Sequence, residues 1–568
     1  MGNIITLMPQ GQAFSYKQGD SLLQILQAHH IPLSAPCGGH GQCGKCRVSI
    51  LSGTVNAPTP EERQLLGAEP DTAIRLACFV YPCGDVQIVL PERKAAPILH
   101  TGYTPPYTPE PAISKRLYQA APGQPIYTDI YDGPEQIGRE QGDTGRHCYG
   151  AAVDIGTTTV VVSLVDVTTG EEIASATAEN PQRLYGSDVL SRIAYTQREP
   201  QGAAQLHEAI IQGINKLTGQ LCRRLALSPN WIYAYAVSAN TTMMHLLLNR
   251  PVYSLGRFPY TPAFTGSISV RAASVGLLGF PLARLYCLPC LSGYIGADIL
   301  AGAAIADLQH AADTVLFLDI GTNCEIVVSH HGVMTCCACA AGPALEGAAI
   351  SCGMTAADGA IDDVTLQDQA FHIQTIGNTP PSGICGSGIL TAAAAFRRAG
   401  LISPSGRICS ARQLRSQHYD TFLPYLREEG KKRSLILADG PHPITISQQD
   451  IRQIQLAKGA ICTGITLLLN RLGLTPDALQ RIMIAGQFGS HLKASALFDI
   501  GLLPDVRPDA VTCLGNTSRT GALLCLLSRP WRRTIEGYLP QMQYIDLSTD
   551  PQYESLFVQS LSFPPIHG

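Results

Sequence analysis

The stretch AAVDIGTTTVVVSLVD, residues 151–166, decides the fold of the larger part of the chain. An apolar run stops at Asp154, passes through an Ile-Gly-Thr turn and resumes, which is typical of two strands joined by a tight turn. VLFLDIGTNCEIVVS, residues 315–329, repeats the pattern around Asp319. Because helical stretches alternate with apolar strands from Gly150 onward, the two copies predict two related α/β subdomains. A chance likeness is the alternative, since the shared core is only Asp-Ile-Gly-Thr.

Each turn carries groups that suit phosphate and its cation. Backbone amides and hydroxyls at such turns donate to phosphate oxygens, and an adjacent aspartate holds Mg²⁺ through water because this hard cation prefers oxygen. The first turn offers Asp154, Gly156, Thr157, Thr158 and Thr159, and the second offers Asp319, Gly321, Thr322 and Asn323. A plain β-hairpin is the alternative for either turn alone. The chain has neither GxxxxGK[ST] nor GxGxxG after a first strand, which argues against Walker-type and Rossmann-type sites.

Two later segments complete the predicted nucleotide site. RIMIAGQFGS, residues 481–490, is typical of a strand that ends in a glycine turn, where Gly486 and Gly489 let the backbone lie close to an adenine and its ribose. IRQIQLAKGAICTGITLLL, residues 451–469, is an amphipathic helix that we expect to turn Lys458 toward the nucleotide. Tight helix packing is the alternative for the second segment.

The loop CGGHGQCGKC, residues 37–46, gives the spacing C-x5-C-x2-C through Cys37, Cys43 and Cys46. Plant-type [2Fe–2S] ferredoxins use C-x4-C-x2-C with a distant fourth cysteine, and one extra residue gives the adrenodoxin-type variant. We assign the fourth ligand to Cys78, which follows the segment IRLA, with Cys83 as the competitor. A structural zinc site is the main alternative, but zinc usually takes two C-x2-C knuckles, and only one is present here. Four unligated thiols explain the glycine-rich loop less well.

The composition of the chain limits its size class, its partners and its location. The chain has 568 residues, 45% hydrophobic and 15% charged, which is enough for several folded cores. With a formal net charge of −4 and no run of Lys or Arg, no nucleic-acid partner is expected. No stretch reaches about 18 uninterrupted apolar residues and no signal peptide is evident, so we expect a cytoplasmic protein that does not enter a membrane. The 19 cysteines are then reduced thiols, some of them metal ligands.

Four segments follow from these patterns. Residues 1–93 are predicted to form a small strand-and-helix unit around the cysteine loop. Residues 94–147 are rich in Pro, Tyr and polar residues and are predicted to be a linker, with a little structure near 112–130. Residues 148–310 are assigned to the first subdomain and its middle region. Residues 311–568 are assigned to the second subdomain and the C-terminal region.

The ordered motifs resemble two known groups of proteins. The two DIGT turns and the late glycine turn, in this order, resemble the actin, sugar kinase and Hsp70 (ASKHA) superfamily of ATPases. The whole chain resembles the reductive activators of corrinoid-dependent methyltransferases, a ferredoxin–ASKHA (DUF4445-like) family. The motifs that carry this resemblance are CGGHGQCGKC, RLAC, AVDIGTTT, NPQ-x2-YG-x-DV-x-SRI, NTTMMHLLL, LDIGTN, AGPALEGA, ICGSGI, KGAI-x2-GI, AG-x-FG and GLLP…LGN-x-S.

This resemblance implies a fold and an activity. The implied fold is α+β and multidomain: an N-terminal β-grasp [2Fe–2S] ferredoxin-like domain, a linker, and a C-terminal α/β actin/Hsp70-like (ASKHA) ATPase of two subdomains. The implied activity is transfer of one electron from the cluster to an inactive Co(II) corrinoid protein, which restores Co(I) for methyl transfer. Co(II)/Co(I) couples lie below the plant-type cluster potential of about −400 mV, so ATP with Mg²⁺ is expected to drive the transfer. Asp154 and Asp319 are the implied catalytic residues, and an upstream electron donor is an implied partner.

Other functions stay open at this point. One is a passive iron–sulfur electron carrier whose ASKHA-like domain serves only nucleotide-regulated partner binding. A second is a small-molecule kinase fused to a ferredoxin, for which no substrate base can be assigned. A third is an activator of 2-hydroxyacyl-CoA dehydratases, but these hold a [4Fe–4S] cluster between two subunits, so the N-terminal four-cysteine pattern argues against it. The oligomeric state is also open, with a homodimer among the options.

Overall fold

A computed structural model of the chain describes residues 3–91 and 102–566, apart from residues 10, 30, 32, 34, 36–38, 40, 42–43, 67–72, 348, 441–442 and 487–491. Three predicted site residues, Cys37, Cys43 and Gly489, lie outside the described residues. No helix in the described part of the chain is long and apolar enough to cross a bilayer.

The N-terminal unit is a mixed five-stranded sheet with a helix packed on it. Its strands are β1 Asn3–Met8, β2 Gln12–Tyr16, β3 Arg47–Ser52, β4 Ile74–Leu76 and β5 Val86–Val89, and its helices are α1 Leu22–Ala28 and α2 Pro60–Leu66. The strand order is β2-β1-β5-β3-β4, with β1 and β5 parallel. A capping box of Ser21 and Gln24 starts α1, whose leucines and isoleucine are buried in the unit's own core. This arrangement confirms the predicted β-grasp fold.

Residues 113–141, within the predicted linker 94–147, form an antiparallel three-stranded sheet, so the structure expected near 112–130 is present and is more extensive than predicted. Its strands are β6 Ile113–Gln119, β7 Ile126–Asp132 and β8 Glu135–Gln141. Ile113, Ile130 and Ile137 are buried in the core of the following subdomain. The polar side chains that suggested a linker are paired instead: Lys115 Nζ donates to Glu140 Oε2 at 2.9 Å and to Tyr233 Oη at 2.7 Å. This sheet is therefore anchored to the body of the protein.

Two larger sheets form that body. The first sheet is made of β9 Tyr149–Ile155, β10 Thr159–Asp166, β11 Glu172–Glu179, β12 Ile232–Ala239, β13 Ile268–Arg271 and β14 Arg284–Cys287, with helices α3 Val189–Arg198, α4 Gly202–Arg224, α5 Thr241–Leu247 and α6 Ala297–Ile305. The second half begins with β15 Thr314–Ile320, β16 Cys324–His330 and β17 Val333–Cys339. It continues with the small-sheet strands β18 Ala360–Gln367, β19 Ala370–Thr375, β20 Gly383–Ile384, β21 Leu426–Glu429, β22 Lys432–Ala438 and β23 Ile444–Ser447. The second large sheet is completed by β24 Arg481–Ala485, β25 Val511–Gly515 and β26 Met542–Tyr544, and the second half also contains α7 Gly386–Arg398, α8 Ala411–Ser416, α9 Gln448–Arg471, α10 Ala494–Asp499, α11 Thr517–Leu527, α12 Arg529–Tyr538 and α13 Tyr553–Ser560.

The two large sheets share one topology. The first has the order β11-β10-β9-β12-β14 and then β13, and the second has β17-β16-β15-β24-β25, with β26 beyond β17. In each sheet the central strand, β9 or β15, pairs antiparallel with the next strand of its hairpin and parallel with the strand that returns later. The prediction of two related subdomains is confirmed. The equivalent hairpins place Asp154 and Asp319 at corresponding ends of β9 and β15.

The C-terminal part of the chain crosses back to the first half. Helices α11 and α12 follow β25 of the second sheet, yet α11 packs on β9, β12 and α6. Leu526, Ile535 and Tyr538 are buried in the core of the first half. Residues 517–538, which the division at residue 311 assigned to the second subdomain, thus belong to the packing of the first. This crossing brings polar residues of α11 to the end of β9.

Candidate nucleotide and cluster sites

The first turn, residues 156–159, is held by hydrogen bonds from three directions. The Gly156 amide donates to the Thr159 carbonyl at 2.9 Å, which leaves Thr157 and Thr158 at the tip. Asn180 Nδ2 donates to the Gly156 carbonyl at 2.8 Å, and Asn240 Nδ2 donates to Thr157 Oγ1 at 3.1 Å. The fully buried Arg192 donates from its guanidinium to the Thr157 carbonyl. These bonds fix the backbone of the turn before any ligand arrives, which suits phosphate binding.

The second turn, residues 321–323, is tighter. The Gly321 amide donates to the Asn323 carbonyl at 3.0 Å, and Thr322 stands at the tip. The Gly342 amide donates to the Thr322 carbonyl at 2.9 Å, which ties the turn to the segment after β17. Every predicted residue of both turns therefore lies at the end of a central hairpin, as the pattern required.

Glu346 joins the two turns. It ends the short helical segment Pro343–Glu346, and its Oε2 accepts from Thr158 Oγ1 at 3.3 Å. Both carboxylate oxygens lie 3.1 Å from Thr322 Oγ1. One carboxylate thus contacts a hydroxyl from each half of the body. Glu346 lies in the motif AGPALEGA, which the resemblance included without a role for this carboxylate.

Asp154 and Asp319 lie in a group of four carboxylates. The group also contains Asp298, at the start of α6, and Glu325 on β16. Burial raises the pKa of Asp319 to about 8, helped by the charges of Asp298 and Asp154. Burial likewise raises the pKa of Asp298 to about 7 and that of Glu325 well above its ordinary range. Carboxyls that repel one another in this way are stabilised by a cation or by protons.

Asp154 is the carboxylate with the fullest set of partners. Asn516 Nδ2 donates to its Oδ2 at 2.8 Å, and Ser518 Oγ donates to its Oδ1 at 2.7 Å. Both donors come from the crossing segment at the start of α11. Burial raises the pKa of Asp154, and these hydrogen bonds oppose that rise because they stabilise the ionised form. Asp154 is consequently held in place as the acceptor of both hydrogen bonds.

Gly486 lies against Asp319. Its φ of +96° falls in the left-handed region, and a Cβ there would lie 2.8 Å from Asp319 Oδ1. Only glycine meets both conditions. The prediction placed Gly486 beside an adenosine, whereas its described contact is with the aspartate at the end of β15.

The expectation for Lys458 is wrong. Its side chain is buried, and Nζ donates to the carbonyls of Ser560 at 2.5 Å and Ser562 at 2.8 Å. The ring of Phe563 lies 5.9 Å from the ammonium. Helix α9 is buried on most of its surface, so its sequence did not indicate which of its side chains would face a nucleotide. Lys458 anchors the C-terminal segment instead.

The described part of the cluster loop brings two predicted ligands together. The sulfurs of Cys46 and Cys78 are 3.4 Å apart, too far for a disulfide at about 2.0 Å and near the roughly 3.8 Å expected of two thiolates on one tetrahedral metal ion. The Ala77 amide donates to the Cys46 carbonyl at 2.7 Å, which aligns the two segments. At Gly41, with φ of +67°, a Cβ would lie 2.5 Å from Cζ of Phe79. Cys83 is exposed and its sulfur lies 3.9 Å from the Tyr81 carbonyl oxygen.

The chemistry of the two sites differs. Sulfur ligands in a glycine-rich loop fit an iron–sulfur cluster, and these cysteines suit that group. At the body's carboxylates, no three His, Cys, Asp or Glu side chains in the described ranges converge closely enough to hold a metal ion by themselves. Mg²⁺ usually takes one or two carboxylates, several waters and substrate phosphates, so this arrangement suits a cation that arrives with a nucleotide.

Several of these residues were not predicted from the sequence. Asp298, Glu325, Asn516 and Ser518 carry no local signature, because their role depends on strand pairing and on the crossing of α11. Asn516 and Ser518 lie in the motif LGN-x-S, which the resemblance included without a role. That motif is the signal that could have directed attention to them.

Comparison with known proteins gives a consistent result along the chain. Residues 5–83 match the model of a 2Fe-2S iron-sulfur cluster binding domain, residues 149–311 match the RACo middle region, and residues 313–567 match the C-terminal domain of RACo, the ASKHA domain. The corrinoid activation enzyme RamQ of Eubacterium limosum is 30% identical over 578 residues, which cover 94% of each chain. A [Co(II) methylated amine-specific corrinoid protein] reductase of Methanosarcina barkeri is 26% identical over 65% of this chain and 68% of its own. The solved structure of a reductive activator for a corrinoid, iron-sulfur protein has 29% identity and a TM-score of 0.73, and covers 99% of this chain and 98% of its own.

Proposed function

The chain belongs to the RACo family, and from this premise we propose that it is an ATP-hydrolysing redox activator, which passes one electron from its [2Fe–2S] cluster to the Co(II) form of a corrinoid protein. The product is the Co(I) form, which is the form used for methyl transfer. The corrinoid protein is therefore a substrate and partner, and a separate reductant must resupply the cluster.

The observation that carries this proposal is a contact between the cluster loop and the body. Lys45 lies next to Cys46, and its Nζ donates to the carbonyls of Ile350 at 3.1 Å, Ser351 at 3.3 Å and Gly353 at 3.4 Å. These carbonyls follow closely after Glu346, which contacts both turns. The loop around the electron carrier and the turns of the ATPase half are thus connected through one short segment. A passive carrier has no need of such a connection.

A second contact reaches the other half of the body. Gln27 Nε2, at the end of α1, donates to the Leu184 carbonyl at 2.7 Å. Leu184 belongs to the first half, whereas residues 350–353 belong to the second. The N-terminal unit therefore contacts both halves. A change in their relative position on binding or hydrolysis of ATP would alter at least one of these contacts, and with it the access to the cluster.

The geometry of the body supports a role for each of its site residues. The amides and hydroxyls of residues 156–159 and 321–323 would bind the phosphates of ATP. Asp154, held in place by Asn516 and Ser518, would accept hydrogen bonds from the water shell of Mg²⁺, and Asp319 would do so from the opposite hairpin. Because the group is crowded with raised pKa values, arrival of Mg²⁺ with the nucleotide would replace protons and relieve repulsion.

The cysteine residues would hold the cluster, with Cys46 and Cys78 beside each other. A bound cluster of this type supplies single electrons at about −400 mV. Each tenfold shift of a one-electron equilibrium needs about 59 mV. ATP can contribute this shift only if the states of the protein before and after hydrolysis differ in their affinity for the Co(II) and Co(I) forms of the partner.

The direct test is anaerobic spectroscopy of a purified Co(II) corrinoid protein mixed with the cluster-loaded chain and a reductant. We expect Co(I) to form with ATP and Mg²⁺ and to form more slowly, or to a smaller extent, without ATP. ATP hydrolysis is followed in parallel and is expected to rise when the Co(II) protein is added. Unchanged hydrolysis together with unchanged reduction would support the passive carrier instead.

Replacement of Lys45 by alanine tests the connecting contact. We expect ATP to be hydrolysed at the wild-type basal rate, while the Co(I) formed per ATP falls about tenfold. A hydrogen bond from a charged donor contributes about 1.5–3 kcal/mol, and the lower end applies because the contact is partly exposed. Lys17→Ala is the matched control, since it removes the same charge from an exposed position of the same unit. Equal yields of Co(I) per ATP in both variants would contradict this prediction, and the reduction potential of the cluster is measured in each to separate coupling from a change in driving force.

A further inference from the structure

Glu346 lies where a terminal phosphate would meet both turns. Thr158 and Thr322 are tip residues of two hairpins from different sheets, yet their hydroxyls converge on this one carboxylate. A phosphate whose oxygens accept hydrogen bonds from both hairpin tips must lie between the two tips. A carboxylate already there marks the end of the phosphate site at which the γ-phosphate would arrive.

The hydrogen-bonding capacity of the threonines restricts what Glu346 can do next. Each hydroxyl has one proton to donate. Both hydroxyls donate to Glu346, with oxygen–oxygen distances of 3.1 to 3.3 Å. If phosphate oxygens take them, the carboxylate keeps its position on the Pro343–Glu346 segment but loses both donors. A water molecule is the donor that can replace them, and it would then stand between Glu346 and the phosphorus.

We propose that Glu346 is the general base that orients and deprotonates the water attacking the γ-phosphate. This inference rests on the proposed function in one respect, that ATP is hydrolysed. The water oxygen forms a bond to the γ-phosphorus while the bond from phosphorus to the β,γ-bridging oxygen breaks. The water proton passes to the Glu346 carboxylate, and the electron pair of the broken bond stays on the β-phosphate of ADP. Inorganic phosphate is the second product.

The surroundings of Glu346 suit this role. Burial raises its pKa, opposed by the hydrogen bonds from Thr322 and Thr158 and by the nearby charge of Arg183, so the carboxyl gains affinity for a proton. Arg183 is itself paired with Glu179 at 2.6 Å, and its positive charge acts on Glu346. Asp154 is a weaker candidate because each of its oxygens already accepts a hydrogen bond, from Asn516 or Ser518, and its remaining acceptor capacity is assigned to the water shell of Mg²⁺. Asp319 lies against Gly486 and within the carboxylate group that suits Mg²⁺.

Glu346→Gln tests the proposal with little change in shape. Glutamine keeps an oxygen that accepts from the threonines but cannot take a proton at neutral pH. We expect kcat for ATP hydrolysis to fall at least about 100-fold, since a general base contributes about 10²–10⁴-fold, while the affinity for MgATP stays within about threefold. Hydrolysis is measured under single-turnover conditions without any corrinoid protein, and affinity is measured with a fluorescent ATP analogue, which also shows that the variant is folded.

Glu179→Gln is the matched control. It removes one negative charge from beside Arg183 and keeps the backbone pairing of this position with Thr159, and it is expected to keep kcat within about threefold. If Glu346→Gln keeps its kcat and binds ATP more tightly, Glu346 is only a latch that occupies the phosphate position, and the proposal is overturned. A wild-type chain that hydrolyses no ATP would overturn both this inference and the proposed function. If Glu346→Gln loses ATP hydrolysis while its cluster is still reduced normally by the added reductant, the result supports the role of Glu346 and does not test electron transfer to the corrinoid protein.

Discussion

Replacement of Cys78 by alanine is expected to remove the visible absorption of the [2Fe–2S] cluster and to lower the rate of Co(II) reduction at least about 100-fold. Loss of a residue that only supports a metal ligand already costs about 10- to 100-fold in metal affinity, so loss of a ligand costs more. Cys78 Sγ lies 3.4 Å from Cys46 Sγ, so the two thiols can bind one iron. The measurement is the absorption and electron paramagnetic resonance of the chain reconstituted with iron and sulfide, followed by the corrinoid reduction assay.

Cys83→Ala is the control that makes this experiment decisive. Cys83 is five residues further along, is exposed, and was the competing fourth ligand in the sequence. We expect the Cys83 variant to bind the cluster and reduce Co(II) like the wild type. The opposite pattern, with cluster loss in Cys83→Ala and retention in Cys78→Ala, would reassign the fourth ligand. Zinc bound in place of iron–sulfur in both variants would contradict the assignment of the cluster itself.

The main architecture was predictable because it repeats. Two copies of one hairpin, each with an aspartate at the same place, required two equivalent sheets, and the shared strand order follows from them. The four-cysteine pattern was equally informative because ligand spacing is a local property of the chain. Residues 113–141 were harder to interpret, since half-buried antiparallel strands with paired charges resemble a polar linker in composition.

The parts of the site that could not be predicted depend on contacts between residues that are far apart in the sequence. Asn516 and Ser518 lie more than 350 residues after Asp154, and nothing near either position indicates that α11 returns to the first sheet. Lys458 was misplaced for a related reason, because an amphipathic helix that is buried on most sides does not reveal which neighbour each face meets. Glu346 lies in the motif AGPALEGA, but no fixed spacing to another residue indicates its role. Its significance appears only when Thr158 and Thr322 are seen to converge on it.

Replacement of Asp319 by asparagine is expected to abolish ATP hydrolysis and, at the same time, to stabilise the fold. Hydrolysis should fall at least about 100-fold, because an electrostatic partner of the transferring phosphate and its cation is lost. Stability should rise by about 0.5–2 kcal/mol, the usual gain when a strained functional residue is relieved. The pKa of Asp319 is raised to about 8 by burial and by the charges of Asp298 and Asp154, so the ionised carboxylate opposes folding.

The raised pKa of Asp319 determines how the free energy of unfolding changes with pH. The unfolded Asp319 carboxyl loses its proton near pH 4, whereas the folded one keeps it up to about pH 8. The folded state therefore binds more protons across this window, and the free energy of unfolding falls as the pH rises through it. The stability that Asp319 confers is complete below about pH 4 and is lost by about pH 8. The advantage of Asp319→Asn over the wild type should accordingly grow from pH 5 to pH 8 in thermal unfolding experiments.

Asp313→Asn provides a matched control, for which the expected change in stability has the opposite sign. Asp313 lies just before β15 and is paired with Arg481, whose Nη2 lies 2.6 Å from its Oδ1, and this pairing lowers the pKa of Asp313. Its replacement should lower stability slightly, by up to about 1 kcal/mol, and leave hydrolysis unchanged. MgATP should raise the unfolding temperature of the wild type and of Asp313→Asn, but raise that of Asp319→Asn less, because the asparagine no longer offers the charge that the cation neutralises. If Asp319→Asn were less stable than the wild type at pH 8, the carboxylate would be stabilising the ligand-free fold, and its assignment to the cation site would have to be abandoned.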